Sequence, residues 1–126
     1  MKVLLDTHTF LWALSAPDRL SVRAREAIAS SERFWSVASI GEVLIKVQSG
    51  KLPMPLPAGG YLTSKMSANA VRVLPVRLDH VLKVEELPMH HRDPFDRILI
   101  AQSRQEKMPL VTSDAIFARY PIEVIW

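Results

Sequence analysis

The sequence contains no cysteine. Disulfides, a thiolate nucleophile and any cysteine-based zinc site are therefore excluded, and the absence fits a reducing cytoplasm. Long apolar runs are missing too. The longest uninterrupted stretch with aromatic content, residues 10–14, falls far short of the ~20 residues that cross a bilayer, so no membrane association is expected. The apolar start Val3-Leu4-Leu5 meets Asp6 at once, too soon for a secretory leader. Repeats, blocks of like charge and flexible linkers are also lacking. The one break in composition is residues 50–60, where Pro53, Pro55 and Pro57 alternate with Met54 and Leu56, which excludes helix there and stiffens an extended connection.

What is present describes one domain spanning residues 1–126. Apolar residues make up 48% and charged residues 23%, which excludes a disordered chain. A domain of this size buries roughly two-thirds of the surface its unfolded chain exposes, enough for its own core. Lys and Arg number 16 against 13 Asp and Glu, a net +3 that permits a nucleic-acid partner.

Element types alternate. Residues 2–5, 33–37, 72–76, 110–112 and 122–125 read as short Val/Ile/Leu-rich strands. Between them, helices are expected over 7–15 capped by Thr7, over 22–29 capped by Ser21, and from Ser39 onward with Ile40, Val43, Leu44 and Val47 on one face. Further helices are expected over 61–70, over 79–86 capped by Asp79, from Pro94 to about Gln105, and over 115–119. Such alternation predicts an α/β fold, a three-layer sandwich whose mainly parallel sheet is covered by helices on both faces. Right-handed crossovers then place the loops that follow the strands along one edge.

Four acids fall on that edge. Asp6 ends the first strand, Asp114 follows the 110–112 strand, Asp96 lies in the first turn of the Pro94 helix, and Glu42 lies near the start of the Ser39 helix. The gaps of 36, 54 and 18 residues match no local metal-binding loop, so only the fold can gather them. Two unit charges about 4 Å apart repel by ~4 kcal/mol at an effective dielectric of 20. A gathered set must therefore protonate or take up a divalent cation, and hard oxygen ligands suit Mg²⁺ or Mn²⁺. Such a site activates water and steadies charge on a phosphodiester. The other nine acids face 16 bases, leaving +7 on the rest of the molecule, an acidic pocket within a basic surface.

Simpler structural roles exist for each residue. Asp93 fits a helix N-cap, and Asp93-Pro94-Phe95-Asp96 has capping-box spacing. Ser113 or Asp114 can cap the short helix that follows, and Glu42 with Lys46 forms an i, i+4 pair. Asp6 has no such errand. Lys46, Arg97 and Arg104 are candidates for RNA phosphate contacts, although Arg104 also suits the negative end of its helix. The four histidines lack metal spacing and read as loop and surface residues. The helix around Phe10, Leu11, Trp12, Ala13 and Leu14 is apolar almost all round and should be covered on more than one side, for which neighbouring helices of one chain suffice.

Five strings stand in order between residues 4 and 114: Leu4-Leu5-Asp6-Thr7-His8-Thr9-Phe10-Leu11-Trp12, Ser39-Ile40-Gly41-Glu42 with Lys46, Gly50-Lys51-Leu52, residues 91–102 from His91-Arg92-Asp93-Pro94-Phe95-Asp96, and Val111-Thr112-Ser113-Asp114. In this order they resemble PIN-domain proteins, and more narrowly the VapC-type toxins of bacterial toxin–antitoxin systems. The resemblance implies a metal-dependent endoribonuclease that hydrolyses RNA with activated water, leaving a 5′-phosphate and a 3′-hydroxyl. It implies Asp6, Asp96 and Asp114 as holders of Mg²⁺ or Mn²⁺, with Glu42 completing the catalytic set. Asp93, Thr7, Thr112 and Ser113 would support the site. It further implies a small antitoxin partner, a homodimer and a cytoplasmic location. Gly41 departs from the pattern, since similar sequences often carry a bulky residue before the glutamate.

Other classes fit less well. A phosphoacceptor signalling domain wants adjacent acids after its first strand, and a dehalogenase-type phosphatase wants an acid where His8 stands. A PIN fold serving only as an RNA- or protein-binding module keeps all of the pattern except the chemistry.

Overall fold

A computed structural model describes residues 1–126. Its strands are β1 (Lys2–Leu5), β2 (Glu32–Ser36), β3 (Val71–Leu74), β4 (Leu110–Val111) and β5 (Val124–Ile125). They form one sheet in the order β3-β2-β1-β4-β5, and every neighbouring pair is parallel. The helices are α1 (Thr7–Ser15), α2 (Val22–Ser30), α3 (Val37–Gln48), α4 (Ala58–Ala68), α5 (Leu78–Val84) and α6 (Pro94–Glu106), with 3₁₀ turns at Pro17–Arg19 and Ala115–Arg119. No helix is long and apolar enough to cross a membrane.

Alternation along β1 builds the three layers. Val3 and Leu5 enter a core with Phe10, Ala24, Trp35, Val43, Leu62 and Met66, whereas Leu4 enters a second core with Leu99, Ile100, Leu110 and Phe117. Successive strand side chains point to opposite faces, so a single strand knits both cores. Phe10 and Trp35, ring centroids 4.7 Å apart and tilted by 56°, anchor the first. Truncating such a buried ring to alanine costs about 3–5 kcal/mol.

Helix starts depart from the sequence expectations at four places. Asp6, not Thr7, stands at the N-cap of α1 and accepts the Thr7 amide at 2.7 Å. Ser36 accepts the Ala38 amide at 3.0 Å and opens α3 at Val37, so β2 ends earlier than expected and Ser39 lies inside the helix. Helix α4 begins at Ala58, and its glycines 59 and 60 occupy the first turn without breaking it. Asp79 lies inside α5 instead of capping it, because Arg77 takes its carboxylate through two hydrogen bonds of 3.0 and 2.9 Å. Ser21 and Asp93 cap α2 and α6 where the sequence places them, accepting the amides of Ala24 and Asp96.

Helix α1 is not fully covered. Leu11, Trp12, Ala13 and Leu14 remain half-buried, beside a cleft of about 250 Å³ lined by Leu11, Leu14, Leu52, Met54 and Tyr61. Neighbouring helices of one chain therefore do not suffice to bury this face.

Candidate functional site

Register decides where the acids meet. Leu5 of β1 pairs with Trp35 of β2 on one side and with Val111 of β4 on the other. The residues that follow, Asp6 and Thr112, leave the sheet side by side. Thr112 Oγ1 donates to Asp6 Oδ2 at 2.8 Å and accepts the Asp114 amide at 3.1 Å, fixing the turn on which Asp114 stands. Asp114 in turn caps the 3₁₀ turn by accepting the Ile116 amide at 3.1 Å. Ser113 is exposed, so the hydroxyl within the network belongs to Thr112.

On the other side of Asp6, the Thr7 hydroxyl bridges to α3. It lies 2.8 Å from Ser39 Oγ and 2.9 Å from Glu42 Oε1. Ser39, read from the sequence only as a helix opener, thus joins the network because α3 starts two residues before it. Lys46 Nζ donates to Glu42 Oε2 at 2.8 Å. That hydrogen bond raises the ammonium above its ordinary value, and Asp93 and Asp96 add to the effect. Lys46 is therefore engaged within the acidic edge. At Gly41 an added Cβ would meet nothing within 4 Å, so the glycine leaves open space beside Glu42.

Asp96, in the first turn of α6, completes the gathering. Its carboxyl is pushed up to about 8, first by burial and then by the charges of Asp93, Asp6, Glu42 and Asp114. Burial likewise pushes Asp6 upward, against the lowering effects of its hydrogen bonds to Thr112 and Thr7 and of the His8 charge. Asp6 and Glu42 are buried, Asp96 is half-buried, and Asp93 and Asp114 are exposed. The acids line an open edge, since none of the molecule's four clefts is lined by them.

This donor set fits a hard divalent cation. All donors are oxygens, and burial together with the neighbouring negative charges keeps Asp96 from ionising at its ordinary pH, a penalty that a 2+ charge would relieve. A tight three-carboxylate cage is not preformed, because the only trio of acid or histidine ligand atoms mutually within 4.8 Å lies elsewhere, at Asp79, His80 and Glu106. Asp6, Asp96 and Asp114, with Glu42 beside them, are the residues that would hold such an ion. The other trio already holds a cation. Arg77 Nη2 lies 2.9 Å from Asp79 and 2.7 Å from Glu106, and its backbone amide donates to His80 Nδ1. That cluster ties α5 to α6.

The two arginines expected at RNA phosphates stand in different surroundings. Arg97 is buried, and its guanidinium donates to the carbonyls of Val84, Leu87, Pro88 and His91 and to the Tyr120 hydroxyl. It pins the loop after α5 and is largely shut off from solvent. Arg104 is exposed but stands at the far end of α6, eight residues and about 12 Å along the axis from Asp96. Two residues near the site escaped the sequence reading. His91 Nε2 lies 3.3 Å from Asp96 Oδ2, and His91 Nδ1 lies 2.7 Å from the Tyr120 hydroxyl. The only local signal was the nearness of His91 to Asp96 in sequence.

The family model described as the PIN domain matches residues 3–123. The chain is 29% identical over 115 residues to Ribonuclease VapC22 of Mycobacterium tuberculosis, covering 89% of this chain and 86% of that protein. Among solved structures it is similar to DNA-bound VapBC from Salmonella typhimurium, with a TM-score of 0.74 and 14% identity, covering 98% of this chain and 96% of the other. It is also similar to VapBC2 from Rickettsia felis bound to a DNA fragment from their promoter, with a TM-score of 0.73, 15% identity and coverage of 98% and 97%.

Proposed function

The chain belongs to the PIN domain family, and from that premise we propose that it is a Mg²⁺- or Mn²⁺-dependent endoribonuclease, the toxin of a toxin–antitoxin pair. The observation that carries this reading is the convergence of Asp6, Glu42, Asp93 and Asp114 on the half-buried Asp96, whose carboxyl is pushed up to about 8 by burial first and by their charges in addition. A structural edge has no use for such repulsion. A cation site does.

In this reading Asp6, Asp96 and Asp114 would hold the ion, whose chemistry there would be positive charge beside the scissile phosphate and a more acidic water. Thr112 keeps Asp6 turned toward the edge, and its acceptance of the Asp114 amide keeps the third acid in place. Thr7 holds Glu42 Oε1 while Lys46 holds Oε2, so Glu42 is oriented from both sides and positions water at the phosphate. The open edge admits a polymer that an enclosed cavity would exclude. Support for a protein partner, antitoxin or second copy, comes from the half-covered apolar face of α1 and the cleft beside it. The name of the 29% identical relative and the complexes named for the similar structures agree with this assignment.

The test is cleavage of labelled RNA by the purified chain with Mg²⁺ or Mn²⁺, with EDTA as control. Metal-dependent cuts bearing 5′-phosphates are expected. Cuts that survive EDTA would overturn the mechanism, and stable RNA binding without cuts under any metal would point to a binding module.

A further inference from the structure

Three hydrogen bonds meet at the hydroxyl of Tyr120, a residue that is 3% exposed. The His91 backbone amide reaches it at 3.2 Å and Arg97 Nη1 at 3.3 Å, and both groups can only donate. Both oxygen lone pairs are thereby taken. The hydroxyl's own proton must go to its third and shortest contact, His91 Nδ1 at 2.7 Å. Accepting at Nδ1 fixes the neutral ring's proton on Nε2. That nitrogen lies 3.3 Å from Asp96 Oδ2. The ring is 18% exposed and stacks edge-on against Phe117 and Tyr120, so its orientation is held by packing as well.

We infer that Tyr120 and His91 form a fixed donor relay that orients the Asp96 carboxylate for the metal, with His91 as a positioning residue and Tyr120 as the lock on its tautomer. The relay rests on the nuclease reading above for its metal. It also spans the site. Tyr120 closes the 3₁₀ turn that Asp114 opens, and Arg97, which braces Tyr120, follows Asp96 directly in α6. One buried hydroxyl therefore couples the element carrying Asp114 to the helix carrying Asp96. Partners that orient a metal's ligands typically govern affinity by about 10–100-fold.

Mn²⁺ affinity of the full chain, measured by calorimetry or electron paramagnetic resonance, tests the inference apart from cleavage. Glutamine places an amide N–H where His91 carries Nε2–H, whereas alanine places none. Against wild type, H91A is expected to lose about 10–100-fold in Mn²⁺ affinity, while H91Q keeps most of it. Y120F frees the tautomer without touching Asp96 and should weaken Mn²⁺ in the same direction, which covers the case of an unfolded H91A. Wild-type affinity in H91A or in folded Y120F overturns the relay and leaves the nuclease reading intact. So does an H91A protein that binds Mn²⁺ normally but no longer cuts, since His91 would then act on the substrate. Folded H91Q as weak as H91A also overturns it. A wild-type chain that neither binds Mn²⁺ nor cuts RNA overturns the nuclease reading and the relay together.

Discussion

Thr112 Oγ1 donates to the Asp6 carboxylate at 2.8 Å across 106 positions of sequence. The contact exists because β1 and β4 are parallel neighbours in register, so both chains leave the sheet at the same level. It joins the first acid of the site to the last element that carries one.

Thr112→Val keeps the shape of this buried side chain but removes a donor to Asp6 and an acceptor for the Asp114 amide. A buried group left unpaired costs about 1–3 kcal/mol, so the variant should unfold at lower denaturant by that amount. Thr112→Ser, which keeps the hydroxyl, should lose much less. Urea titration of the three proteins checks both.

Asp6→Asn is expected to abolish cleavage while the protein stays folded. Asparagine caps helices as well as aspartate does, so α1 keeps its start. Since even indirect partners of a metal are worth about 10–100-fold, loss of a ligand should exceed 100-fold. RNA cleavage alongside a thermal melt separates the two effects.

Without metal, stability should fall as pH rises. The Asp96 carboxyl titrates near 8 in the folded chain, and in the unfolded chain at its ordinary value of 3.8. Between those values the folded state holds a proton that the unfolded state has released, so each step up in pH favours unfolding. Asp6, also raised, acts in the same direction. In EDTA the melting temperature should be higher at pH 5.5 than at pH 8.5. Asp96→Asn should flatten that slope, and Mn²⁺ should stabilise the wild type most at the higher pH.

Arg97→Lys should destabilise the protein. A single ammonium cannot span four carbonyls and a hydroxyl, and hydrogen bonds from a charged group contribute about 1.5–3 kcal/mol each. Loss of at least about 2 kcal/mol in urea melts is expected.

Arg104→Ala should leave cleavage unchanged in rate and in salt dependence, because its helix end lies about 12 Å from the acids. A flattened salt dependence would place RNA along the whole of α6.

The sheet and the acids were legible because their signals are local. A strand that ends on Asp6, an Asp-Pro pair that caps α6 and a Thr-Ser-Asp turn after β4 each announce an edge within a few residues. Arg97 was not legible. It was read as a phosphate contact, yet its carbonyl partners come from residues 84–91, whose path no periodicity dictates. His91 was missed for the same reason, since its lock, Tyr120, lies 29 positions away. Ser39 was misplaced because Ser36 is an equally good cap and stands earlier in the chain.

Strand β1 sits in the middle of the finished sheet, and one of its two neighbours is β4, more than a hundred positions later in the chain. A growing chain that has only reached α4 has β1, β2 and the Glu42 side of the site, but not the Thr112 hydroxyl that holds Asp6 from the other side. At that stage Asp96 and Asp114 are also still to come, so the acidic edge is only half assembled. The edge closes only when residues near 110 dock against a strand more than a hundred positions before them.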